Sequence, residues 1–111
     1  MKNQAKLKEM FQRQAKFQSD LGHTDILYNV PFIKDMILCA NCELMECLQE
    51  TPWKQWKLNQ NFDKEKFREE LIDVWHFLIN LSIAAGFDED SLYNEFMDKN
   101  NLNLKRQQEK Y

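Results

Sequence analysis

A chain of 111 residues has room for one domain, taken as 1–111, with a modest core. Two glycines, two prolines, 30% charged and 43% apolar residues exclude a turn-rich all-β fold and a disordered linker, and they fit an all-α domain. A net charge of -3 does not favour nucleic acid as a partner; no apolar window is long enough to cross a membrane, and no apolar stretch follows the basic N-terminus as in a signal peptide, so a cytoplasmic protein is expected.

Apolar spacing predicts a first helix from about Asn3 to Asp20, carrying Leu7, Met10, Phe11, Ala15 and Phe17 on one side. Gly22 stops it, and Leu21 to Val30 reads as a loop. Pro31 suits the first turn of a second helix, whose stripe is Ile33, Met36, Ile37, Ala40, Leu44, Cys47 and Leu48. Thr51-Pro52 ends it, and Trp53-Lys54-Gln55-Trp56-Lys57 forms an aromatic, basic connector. Asp63 caps a third helix, with Phe67, Leu71, Val74, Trp75, Leu78 and Leu81 at helical spacing and Gly86 just past its end. Ser91 or Asp90 caps a fourth, through Leu92, Phe96 and Met97 to Asn100 or beyond. Acids dominate the middle of the chain, while Lys99, Lys105, Arg106 and Lys110 gather near its C-terminus. An anionic ligand bridged to the acids by a metal would use both.

Cys39, Cys42 and Cys47 are an odd number, in a chain with no export signal, which argues against a disulfide framework. Cys39 and Cys42 form a CxxC, but without a βαβ setting they read as small packing residues on a helix rather than a redox or zinc pair.

One kind of residue stands in the wrong place. Glu43 falls three residues after Ala40 and four before Cys47, on the apolar side of its helix, and Glu46 is one further step of three along. On the third helix Glu70 stands three after Phe67 and four before Val74, with Asp73 three beyond. Each of two consecutive helices therefore aims a pair of carboxylates at its packed side. Two such charges about 4 Å apart repel by roughly 4 kcal/mol at an effective dielectric of 20. Four of them must take up protons or cations, and an oxygen-only ligand set selects a hard ion such as Mg²⁺ or Mn²⁺. Such a cluster suits phosphate chemistry by metal-activated water, with a carboxylate accepting the proton.

Glu43-x-x-Glu46 followed by Glu70-x-x-Asp73 resembles the metal-binding pattern of the all-α NTP pyrophosphohydrolases, the MazG-like superfamily. The surroundings narrow the resemblance to the all-α, dimeric-type dUTPases. Trp53-Lys54-Gln55-Trp56-Lys57 is similar to their Trp-Lys-x-Trp-Lys connector, and Glu70-Leu71-Ile72-Asp73-Val74-Trp75-His76-Phe77 to their E-I-V-D-I-W-H-F helix. The stretch from Lys99 to Gln107 resembles their K-N-x-x-N-x-x-R-Q tail, and Gln14-Ala15-Lys16-Phe17-Gln18 their L-Q-x-x-L-N element.

The resemblance implies a compact antiparallel four-helix bundle, a homodimer or higher homo-oligomer, in a bacterial or phage-infected cell. It implies hydrolysis of dUTP, and of dUDP, to dUMP. Glu43, Glu46, Glu70 and Asp73 would hold two or three Mg²⁺ ions, one of the first pair helping to activate the water. Lys99, Asn103 and Arg106 would grip the phosphates. Gln14, Gln18, Trp53 or Trp56, and His76 would shape the nucleoside pocket. Two departures stand out. Gln18 replaces the family's usual Asn, which opens the alternative of a dCTP or modified-nucleotide pyrophosphohydrolase. Ala85-Gly86-Phe87-Asp88 joins two helices directly, as in compact phage-type members, where others carry a long helical insertion. An inactive helical adaptor on the same scaffold is the reading outside enzymology, and retention of all four acids argues against it.

Overall fold

The computed structural model describes residues 2–110, with side chains from Ala5 to Glu109, so the Lys110 side chain of the basic tail lies outside the described part. Among the described residues there are four helices and no strand: α1 (Lys2–Asp20), α2 (Val30–Gln49), α3 (Lys64–Ala84) and α4 (Glu89–Lys110). This is the expected all-α, four-helix architecture. None of the four is by itself long and apolar enough to cross a membrane.

Local chemistry sets the ends. Gly22 takes φ +90°, which lets the His23 amide donate to the Gln18 carbonyl at 2.9 Å and close α1. The Asn29 side chain accepts from the Phe32 amide at 3.1 Å, so α2 begins at Val30, one residue ahead of Pro31. Asp63 caps α3 as its position predicts, accepting from the Lys66 amide at 3.0 Å. The cap of α4 is neither Ser91 nor Asp90 but Asp88. Its carboxylate accepts from the Ser91 amide at 2.8 Å while its own amide donates to the Ser91 hydroxyl at 3.0 Å. That reciprocal pair is a capping box with serine at the third helical position. From there α4 runs through Asn100 to Lys110 without a break. Between α2 and α3, the Gln60 amide clamps the connector, bonding to the backbone of both Lys54 and Lys57.

The core lies between α2 and α3. Phe32, Met36 and Ala84 are buried together, with Ile26, Ile33, Phe77 and Leu81 packed around them. Further along the same pair, Ala40, Cys47 and Val74 are buried. Helix α1 crosses α3, burying Phe11 and donating from Gln14 to the Asn80 side-chain oxygen at 2.8 Å. Helix α4 departs differently, turning 98° away from the axis of α3. The radius of gyration is accordingly 17.4 Å, where a compact chain of this length has about 13 Å.

The α3–α4 corner depends on Gly86. Its φ is +88°, and a Cβ there would sit 3.1 Å from the Tyr28 hydroxyl oxygen and 3.5 Å from a Leu27 methyl. We expect Gly86→Ala to lower the unfolding free energy by about 1–2 kcal/mol, read by urea denaturation. An unchanged midpoint would show that this corner is not held as described.

Candidate functional site

The close packing of α2 on α3 brings the acids together. Oxygens of Glu43, Glu46 and Glu70 lie within 4.8 Å of one another. Asp73 is not in that triplet, but its charge acts on Glu43 and it faces the same cavity. The four positions differ in exposure: Glu46 is open to solvent, while Glu43, Glu70 and Asp73 are half-buried.

Glu43 is the anomaly. Its Oε2 is buried and has no hydrogen-bond partner. The polar groups near it are other carboxylates, which can bond to it only if a proton is retained between them. Burial first, then the proximity of Glu46 and Glu70, then the charge of Asp73, push Glu43 up to about 7. Glu70 has Lys66 at 3.5 Å, but Lys66 is exposed and also serves Glu69 at 3.8 Å. An orphaned carboxylate oxygen beside two more acids is a donor set with the chemistry for a hard divalent ion. Mg²⁺ fits the residues on that ground.

The cysteines do not compete for this role. Cys39 is half-buried, Cys42 exposed and Cys47 buried, all as free thiols. Burial and the nearby acids push the Cys47 thiol up, which keeps it neutral and disfavours it as a ligand.

Beside the acids opens a cavity of about 560 Å³ between α1, α2 and α3. Glu43 and Asp73 form its acidic end. Gln14, Gln18 and His76, picked out from the sequence, line it as well. Gln18 is only 4% exposed, and its Oε1 lies 2.7 Å from the Nδ1 of His23. Gln14 is fixed from below by Asn80, whose own amide reaches the Met36 sulfur at 3.6 Å. His23 and Asn80 were not singled out from the sequence. His23 lies in a loop with no periodicity to mark it. Asn80 carried a readable signal, a lone amide in the run Phe77-Leu78-Ile79-Asn80-Leu81 of a helix whose stripe is otherwise apolar.

Other residues lie elsewhere. Trp53 and Trp56 pack edge to face on the connector, centroids 5.7 Å apart, and neither lines the cavity; Trp56 is 75% exposed. Lys99, Asn103 and Arg106 are exposed on α4. From the rise of the two helices and the 98° turn between them, the middle of that tail stands roughly 30 Å from Asp73 of its own chain.

A family model described as dUTPase matches residues 6–86, a span that holds the four acids and the cavity but stops short of α4. A curated relative, the dCTP pyrophosphatase of Enterobacteria phage T4, is 27% identical over 71 residues, covering 53% of this chain and 42% of the relative. The match thus spans less than half the length of that phage protein. No solved structure matches the chain.

The acid cluster makes a signed prediction. Because folding raises Glu43 from 4.5 to about 7, its contribution to stability is present in full below pH 4.5 and is lost as the pH rises through 7. The metal-free protein should therefore melt lower at pH 8 than at pH 6. Mg²⁺ should reverse this, by about 2.7 kcal/mol at a hundredfold excess over Kd, and more effectively at pH 8 because the ligand must be ionised. Glu43→Gln should raise the metal-free melting temperature at pH 8 and abolish the Mg²⁺ response. Melting curves indifferent to Mg²⁺ at both pH values would argue against a metal site.

Proposed function

The chain belongs to the all-α dUTPase family, and we propose that it hydrolyses a pyrimidine deoxynucleoside triphosphate, dUTP first, to the monophosphate and pyrophosphate with Mg²⁺. The observation that carries the proposal is the orphaned Oε2 of Glu43, set among acids at the end of a cavity lined with amides.

Glu43, Glu46, Glu70 and Asp73 would hold the ions. When bound, the divalent ions neutralise the phosphate oxygens on which charge builds in the transition state. Glu46, the exposed member, is the residue free to take the proton of the attacking water. The water's oxygen bonds to the α-phosphorus, the bond to the bridging oxygen of the β-phosphate breaks, and pyrophosphate leaves with that electron pair. Lys99, Asn103 and Arg106 would grip the outer phosphates.

The base would enter between α1 and α3. With the Gln18 oxygen engaged by His23 at 2.7 Å, the Gln18 NH₂ is left to donate into the cavity. The Gln14 NH₂ is engaged by Asn80, which leaves the Gln14 oxygen to accept. One donor and one acceptor complement the edge of either pyrimidine. Gln18 and the phage dCTP pyrophosphatase likeness favour dCTP as the second reading. The same proposal places the enzyme with the free nucleotide pool of the cytoplasm, as a homodimer or higher homo-oligomer without nucleic acid as partner.

Purified protein should release pyrophosphate from dUTP in the presence of Mg²⁺, and Glu46→Gln should slow turnover by roughly 10²-fold or more without unfolding. Hydrolysis of dCTP alone would select the second reading. No turnover across a nucleotide panel would overturn the proposal.

A further inference from the structure

We propose that His23 is a positioning residue for base choice: its ring holds the Gln18 side chain with the NH₂ toward the cavity, and that polarity is what admits uracil. The inference rests on the nucleotide reading of the cavity given above and deepens it.

The first support is the way α1 ends. The Gly22 amide donates to the Ser19 carbonyl and the His23 amide to the Gln18 carbonyl, each at 2.9 Å, with Gly22 at φ +90°. This pair of bonds is a Schellman cap, which frequently sets an apolar contact between the two residues that here are Gln18 and His23. A polar pair stands there instead. The His23 Nδ1 lies 2.7 Å from the Gln18 Oε1, and Gln18 is buried. A cap that served only to end the helix would bury an apolar side chain at lower cost.

The second support is that the ring has a fixed place. His23 is tied to Gln18 through its main chain and its side chain alike. Its ring meets the buried Phe32 edge to face, at 5.5 Å. The Phe32 amide is in turn held by the Asn29 side chain at 3.1 Å. His23 and Gln18 both line the cavity.

The third support is the count of donors and acceptors. An amide oxygen only accepts, so the His23 Nδ1 carries the proton and donates. The Gln18 NH₂ is then the group left for the cavity. Gln14 is fixed the opposite way. Its NH₂ donates to the Asn80 side-chain oxygen at 2.8 Å and to the His76 carbonyl at 3.4 Å, which leaves its oxygen to accept. The pairing edge of uracil carries one N–H between two carbonyl oxygens and matches one acceptor with one donor. Were Gln18 turned over, the two amides would present two acceptors. Uracil has a single N–H for them, whereas the amino group of cytosine has two. A donor at His23 therefore favours uracil, and a group that only accepts at the same place favours cytosine.

Two substitutions of nearly equal size and opposite polarity test this. His23 is exposed, so both variants should fold, which melting curves check. In His23→Asn the side-chain nitrogen can stand where Nδ1 stands and donate, and the ratio of kcat/KM for dUTP to that for dCTP should stay that of the wild type. In His23→Asp only acceptors stand there, and the ratio should fall by roughly tenfold or more, through KM for dUTP rather than kcat. An equal loss with both nucleotides, or the same ratio in the two variants, would mean that His23 only props the loop, and would overturn the inference. A readout independent of activity is the ring ¹⁵N spectrum of the free protein at pH 8, with the His23 signals assigned by their loss in His23→Asn. The Nδ1–H form is expected. The Nε2–H form would make Nδ1 an acceptor, turn the Gln18 oxygen into the cavity and overturn the inference. Weaker binding of dUMP relative to dCMP in His23→Asp but not in His23→Asn, seen in a protein that hydrolyses no nucleotide, would leave the inference standing while the hydrolase reading falls.

Discussion

One carboxylate governs this molecule. Glu43 sits where the seam of α2 and α3 buries half of it, with an oxygen that no donor reaches and with further acids as neighbours. A protein that only needed to fold would place an apolar side chain there, in line with Ala40 and Cys47 on the same helix, both buried. An acid in that position raises the energy of the ion-free state whenever it is ionised. The cost is offset if the acids share a divalent ion, and the α2–α3 interface then becomes part of the chemistry as well as the core.

The rest of the fold arranges itself around that seam. Helix α1 does not strengthen the acid cluster. It walls off the cavity next to it, and its two amides are held in place by Asn80 and His23. The two α1 amides and the four acids thus stand on different helices, and the Asn80 side chain that holds Gln14 also reaches the Met36 sulfur on α2. On the proposed function, a substitution at Gln18 would alter the cavity wall that meets the base while leaving the acids undisturbed. In this way members of one family could divide between dUTP and dCTP with the same catalytic apparatus.

Much of this was legible in the chain itself. The acids betray themselves by standing at steps of three and four within an apolar stripe, a spacing that turns them toward the packed side and leaves Glu43, Glu70 and Asp73 half-buried, though Glu46 stays open to solvent. The caps at Asp63 and the stop at Gly86 follow from local backbone chemistry, and the structure agrees with both. What could not be read was long-range. His23 becomes meaningful only when the chain after α1 folds back against Phe32, whose ring meets the imidazole edge to face at 5.5 Å. The direction of α4 is set by Tyr28 and Leu27 packing under Gly86, a contact between segments almost sixty residues apart. The connector tryptophans gave an aromatic signal without a direction; the Gln60 side chain ties that loop to itself through Lys54 and Lys57, and neither tryptophan lines the cavity.

The central claim is that a divalent ion belongs between α2 and α3. The most direct measurement is anomalous diffraction from crystals grown with Mn²⁺ at pH 8. The account predicts a peak within coordination distance of the Glu43, Glu46 and Glu70 carboxylates, absent in crystals of Glu43→Gln. An anomalous map with no peak between those helices, or with manganese bound only elsewhere, would contradict it.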